Sequence, residues 1–175
     1  MTRRAETLLR AARALEAVSE WTGRGVAWLV LAMTLVVGYD VAMRYLFRQG
    51  SVALQELEWH LFALVFLLGA AYTLKHDGHV RVEVLYQRLG ARGRAWCDLL
   101  GHLFFLLPFS LLIIAAAWPF VANSFAYGEG SPDPGGLPFR WLLKAAIPAG
   151  FALLILQAVA DILRKLVFLF GGARD

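Results

Sequence analysis

The sequence predicts an all-α membrane protein with four transmembrane helices. It also predicts an N-terminal amphipathic interfacial helix and a short cytoplasmic interfacial helix between spans 2 and 3. Three observations carry this. Of 175 residues, 59% are hydrophobic and 17% charged, against roughly 45–50% and about 25% in soluble domains. The apolar residues gather in four windows, 25–47, 52–74, 99–121 and 141–163, each of which, as a helix rising about 1.5 Å per residue, crosses a hydrocarbon core of about 30 Å. Runs such as Leu61-Phe62-Ala63-Leu64-Val65-Phe66-Leu67-Leu68 do not alternate apolar with polar, as each strand of a membrane β-barrel must. What remains between the windows is too short for a separate soluble domain, so residues 1–175 are expected to form a single four-helix membrane domain.

Residues 1–24 hold no apolar core of the kind a cleavable signal needs, and the segment is expected to be retained. Glu6, Arg10, Arg13, Glu16, Glu20 and Arg24 recur at steps of three or four, with Leu8, Leu15, Val18 and the alanines between them. That period is an amphipathic helix, suited to the headgroup region, where anionic membrane lipid attracts its arginines. Between spans 2 and 3, His79-Val80-Arg81-Val82-Glu83-Val84 alternates like a strand, while Val82, Leu85, Tyr86 and Leu89 share a helical face. A lone strand at a membrane surface leaves its backbone unpaired, so a short helix over 80–89 is preferred. The third helix is expected to begin near Arg94, with local kinks at Pro108 and Pro119. Residues 123–140 contain Gly-Glu-Gly-Ser-Pro-Asp-Pro-Gly-Gly-Leu-Pro, a turn-rich loop. All six Trp lie within a few residues of a span boundary, where the ring is apolar and its N–H stays wet.

Thirteen of the 17 Lys and Arg fall in the N-terminal tail, the middle connection and the C-terminus; Arg44, Arg48, Arg140 and Lys144 lie on the other side. By the positive-inside rule both termini are cytoplasmic and connections one and three face outward. The net charge of +4 is thereby used in orientation, and no nucleic-acid partner is implied. The single Cys97 excludes an intramolecular disulfide and reads as a packing residue.

Ionisable groups inside a membrane cost several kcal/mol unless paired or hydrated, so they are the first candidates for function. Asp40 and Arg44, four apart on the outer half of span 1, can neutralise one another. Glu56 and Glu58 open span 2, with Glu56 on the face of His60. Below His60 that span reads Leu, Phe, Ala, Leu, Val, Phe, Leu, Leu, with no polar side chain to continue a proton relay. His60 and His102 differ in depth by roughly 12 Å at helical rise, awkward for two axial ligands of one haem. No span carries the basic repeat of a voltage sensor, and no nucleophile elbow, zinc-protease or phosphate-loop motif is present. An enzyme is not expected, nor a cofactor or metal. The chain also lacks the internal repeat and broken helix of a self-sufficient secondary transporter.

The stretch from Gly69 to Tyr86, with Lys-His-Asp-Gly-His-Val-Arg-Val-Glu, and Ser131-Pro-Asp-Pro-Gly-Gly-Leu-Pro-Phe-Arg-Trp before span 4 resemble the small, DctQ-like membrane subunit of tripartite ATP-independent periplasmic (TRAP) transporters. The resemblance extends over nearly the whole chain. It implies a bacterial inner-membrane protein that partners a large TRAP membrane subunit and a periplasmic solute-binding protein. The complex would import an organic acid or other polar solute by sodium symport, with this chain anchoring and enlarging the static part of the large subunit. On that reading Asp40, Arg44, Glu56 and Glu58 pair helices or touch the large subunit. Arg48, Gln49, Ser51, Glu129 and Asp133 belong to the dock for the binding protein, and His79, Arg81 and Glu83 fix the cytoplasmic connection. An alternative from another class is a non-catalytic anchor or quinone-site subunit of a respiratory complex, with His60 or His102 near a headgroup.

Overall fold

The computed structural model of the protein describes residues 3–78, 86 and 88–170. Its helices are α1 (Arg3–Leu46), α2 (Val52–Lys75), α3 (Ala91–Gly101), α4 (Leu107–Ala126) and α5 (Arg140–Phe170). A π-helical turn at His102–Leu106 joins α3 to α4, so that Ala91–Ala126 is one continuous span; with α1, α2 and α5 it makes four helices long and apolar enough to cross a membrane. No strand is present among the described residues. The predicted cytoplasmic helix at 80–89 lies almost wholly outside the described residues, as do His79, Arg81 and Glu83.

Each helix outruns its apolar window, because the membrane surface does not by itself end a helix; caps and breakers do. Ser51 starts α2 by accepting the Leu54 N–H on its Oγ at 3.4 Å. At the other end Asp77 takes a left-handed φ of 54°, the Gly78 N–H reaches the Thr73 carbonyl at 2.9 Å and the Asp77 N–H reaches that of Leu74 at 3.2 Å. This is a Schellman closure. The same device ends α4, where Gly128 (φ 58°) is followed by a Glu129 N–H on the Ser124 carbonyl at 3.0 Å. The amphipathic segment and the first span form one uninterrupted helix, since no residue near 24 breaks it.

Pro108 produces a π turn immediately before it. Proline has no N–H to give to the carbonyl four residues back, and its ring crowds that carbonyl. The chain answers by widening one turn, with the Leu107 N–H reaching the carbonyl of His102, five residues back.

α5 is the centre of the bundle. It packs against α1, α2, α3 and α4, α1 also packs on α2, and α4 leans on α5 with at most marginal contact to α1 or α2. Burial agrees: 28% of the apolar window of α5 is covered by protein, against 11% for α1 and α2. The contacts are made by small residues, as expected where lipid is as apolar as leucine and close approach supplies the attraction. Ala12, Ala71, Ala158 and Ala160 are fully buried, while Phe62, Phe66, Phe105 and Trp118 point outward. Gly23 lies against the Tyr72 ring, where any Cβ would collide, and a Cβ on Gly69 would meet Val26 at 3.5 Å; these two points set the antiparallel register of α1 and α2. A Cβ on Gly150 would sit 2.5 Å from the Leu67 carbonyl oxygen, so α2 and α5 touch backbone to backbone. Cys97, expected as a packing residue, is exposed: its neighbours Ala95 and Leu99 occupy the buried face of α3.

Candidate functional site

The ion-paired side chains gather in two layers, one at each end of the bundle. At the end carrying both termini, charges join helices that are distant in sequence. Arg164 on α5 donates through Nε and Nη2 to both carboxylate oxygens of Glu16 on α1, a fork-to-fork geometry that fixes rotation as well as distance. Lys75 at the end of α2 donates to Glu20 at 2.6 Å, and Arg24 reaches the same carboxylate at 3.1 Å. Lys165 donates to Asp98 of α3 at 2.8 Å, and the Tyr86 hydroxyl donates to that carboxylate at 2.8 and 2.9 Å. One turn deeper, His102 Nε2 stands 3.8 Å from Asp161. These bonds tie α5 to α1 and α3, and α1 to α2.

The opposite end is held through loop 127–139. Glu56, 5% exposed, accepts the Ser131 hydroxyl and, at 2.6 Å, the Leu137 N–H. One carboxylate thus pins both limbs of a loop whose turns leave backbone donors unpaired. Glu129 accepts from Lys144 on α5, and that ammonium holds its carboxyl below the usual glutamate range, with the Arg140 charge adding to the effect. Asp40 accepts from Arg44 one turn on, although its other oxygen, Oδ1, is buried without a partner among the described residues.

The remaining sequence candidates are placed as follows. Glu58 is half-buried and makes no ion pair or hydrogen bond among the described residues. Arg48, with φ 54°, and Gln49 are exposed in the connection between α1 and α2, where Ser51 is spent as the α2 cap. Asp133 is exposed at the turn of the outer loop, its N–H on Ser131 Oγ at 3.1 Å, while Glu129 is engaged with Lys144. His60 and His102 direct Nδ1 at the carbonyls of Glu56 and Asp98, at 2.5 and 2.6 Å, each within its own helical turn. Sequence reasoning missed Glu16, Asp98, Asp161, Arg164, Lys165 and Gln157. Opposite charges at matching ends of different windows signalled that ion pairs could form there, though not which residues pair; Gln157, fully buried with both amide atoms unpartnered among the described residues, gave no signal beyond being polar inside an apolar window.

Four mutually braced apolar helices with lipid-facing aromatics and charge layers at their two ends define a polytopic α-helical membrane protein. Residues 33–168 match the profile of the DctQ component of tripartite ATP-independent periplasmic transporters, and the chain belongs to that family: it is a small permease subunit of a transporter. A C4-dicarboxylate TRAP transporter small permease protein of Vibrio cholerae is 31% identical over 149 residues, covering 74% of this chain and 64% of the relative, so the chain spans just under two thirds of that protein's length. A protein of the same description from Pseudomonas aeruginosa is 28% identical over 172 residues, covering 81% of this chain and 80% of the relative.

Proposed function

We propose that this chain is a fixed scaffold in a sodium-coupled TRAP transporter of the bacterial inner membrane, standing as one rigid four-helix unit beside the large subunit that moves an organic acid or other polar solute. The observation that carries the reading is the bracing of α5 at both ends, by Glu16, Asp98 and the Glu129–Lys144 pair. A helix held to neighbours at both surfaces resists the sliding or hinge motion that alternating access demands. C4-dicarboxylates, named for the relatives, are the first substrates to try.

In this reading both termini are cytoplasmic, and the connections bearing Arg48, Gln49, Ser51, Glu129 and Asp133 face the periplasmic binding protein. Asp40, Arg44, Glu56 and Glu58 serve the outer ends of the helices and the border with the large subunit. Two measurements test it. Mild-detergent purification of the tagged chain co-isolates a large polytopic protein, and liposomes accumulate solute under a sodium gradient only when both subunits and the binding protein are present. Accumulation by this chain alone refutes the scaffold role. Cys97, exposed at the terminus-bearing end, reacts with a membrane-impermeant maleimide in inverted vesicles and not in right-side-out ones; the reverse pattern inverts the topology.

A further inference from the structure

We propose that His102 and Asp161 form a one-proton site that latches the third span, α3 to α4, onto α5 at the terminus-bearing end. His102 Nδ1 lies 2.6 Å from the Asp98 carbonyl oxygen. A carbonyl only accepts, so Nδ1 carries hydrogen, and in the neutral ring Nε2 is left with a lone pair. That lone pair faces a carboxylate: Nε2 stands 3.8 Å from Asp161 Oδ2, and the two side chains are only 8% and 18% exposed. Two acceptors facing one another away from water do not attract. One proton makes the contact favourable, either on Nε2, as an imidazolium beside a carboxylate, or on Asp161, as a carboxyl hydrogen directed at Nε2. The two forms belong to one coupled titration.

The surrounding charges do not replace that proton. Among the described residues His102 is the one basic side chain within ion-pair distance of Asp161. Lys165 is bonded to Asp98 and Arg164 to both oxygens of Glu16, so these two cations act on Asp161 at longer range, while Asp98 and Asp77 at the end of α2 oppose them. A largely buried carboxylate facing a lone pair is costly. The third span also has little else to hold it at this end. α4 leans on α5 with at most marginal contact to α1 or α2. Among the described residues, α3 and the π turn attach to α5 here through Lys165 on Asp98, Trp96 edge-on to Phe170 at 5.8 Å, and His102 with Asp161. The His102 carbonyl also accepts the Leu107 N–H that closes the π turn, so the latch sits on the residue where the span widens.

Asp161→Asn tests the site, because its amide supplies Nε2 with a hydrogen that does not titrate. The full chain is melted in detergent from about pH 5 to about pH 10, a range that spans carboxyl and imidazole titration. A proton held in the folded chain stabilises it less as pH rises, so wild type should lose about 2–4 °C relative to Asp161→Asn across the range. A constant difference, or one that moves the other way, overturns the proposal. Spin labels on Cys97 of α3 and on Phe168→Cys of α5 read the latch itself. Their distance distribution should broaden toward alkaline pH in the wild-type background and stay narrow with Asp161→Asn; no broadening, or equal broadening in both, overturns it. A third measurement needs no stable variant at position 161. In ¹⁵N-histidine NMR of the full chain, the ring whose signals vanish in His102→Gln should keep Nδ1 protonated throughout, and a neutral ring with its hydrogen on Nε2 refutes the tautomer on which the site rests.

Discussion

Replacing Gly150 with alanine tests whether α5 is held by direct backbone contact. The added Cβ would lie 2.5 Å from the Leu67 carbonyl oxygen and 3.0 Å from its carbonyl carbon. Ordinary contact begins near 3.4 Å, so α2 and α5 must part locally by about 0.9 Å, and neither partner is a side chain that can swing away. Overpacking of this kind costs about 1–3 kcal/mol. Alanine also favours a helix over glycine by about 1 kcal/mol, which would mask part of the loss. The comparison is therefore made with Gly38→Ala, in the same type of lipid-exposed helix but with nothing within 4 Å of its Cβ, where only the propensity gain applies. At about 2–4 °C per kcal/mol for a chain of this size, Gly150→Ala should melt on the order of 2–12 °C below Gly38→Ala in a detergent thermal-shift assay. Equal melting temperatures for the two variants would refute the close-contact argument.

Reversing the Glu16–Arg164 pair in a double-mutant cycle should show that either single change destabilises the chain and that the swap recovers part of the loss; with Arg164 side-chain exposure at 46%, the coupling is expected at about 1 kcal/mol. Glu56→Ala strands the Ser131 hydroxyl and the Leu137 N–H, at a cost of about 1–3 kcal/mol, and should raise hydrogen exchange at Leu137 while leaving helix amides protected. The Glu129 carboxyl is held below its ordinary range by Lys144. A depressed folded pKa means that its stabilisation is complete above the unfolded glutamate range and is lost as pH falls through the folded value. The stability advantage of wild type over Glu129→Gln should therefore be flat around neutrality and shrink on acidification; an advantage that grows toward acid pH contradicts the pairing.

The sequence by itself determined the number of helices long and apolar enough to span a membrane and the turn-rich outer loop. The reason is that membrane length and backbone self-satisfaction act on local composition, which is written in consecutive residues. It also placed Asp40 beside Arg44, because i and i+4 meet on any helix. The π turn was legible only as an irregularity: Pro108 announced a disturbance, but whether a helix bends or widens there depends on what packs around it.

Tertiary structure alone decided which helix is central and what each charge does. Glu16 and Arg164 are 148 residues apart, and nothing local to either names the other; α1 and α5 must first be antiparallel and adjacent. Glu56 looked like a helix-opening acid and became the staple of a loop more than 70 residues away, because its carboxylate is buried where that loop folds back. Cys97 was read inward and faces outward, since α3 spends its buried face on Ala95 and Leu99. Local patterns tell how deep a residue sits in the bilayer. Which way it faces is set by helix–helix contacts between small residues such as Gly23, Gly69 and Gly150, whose close approach no hydropathy pattern records.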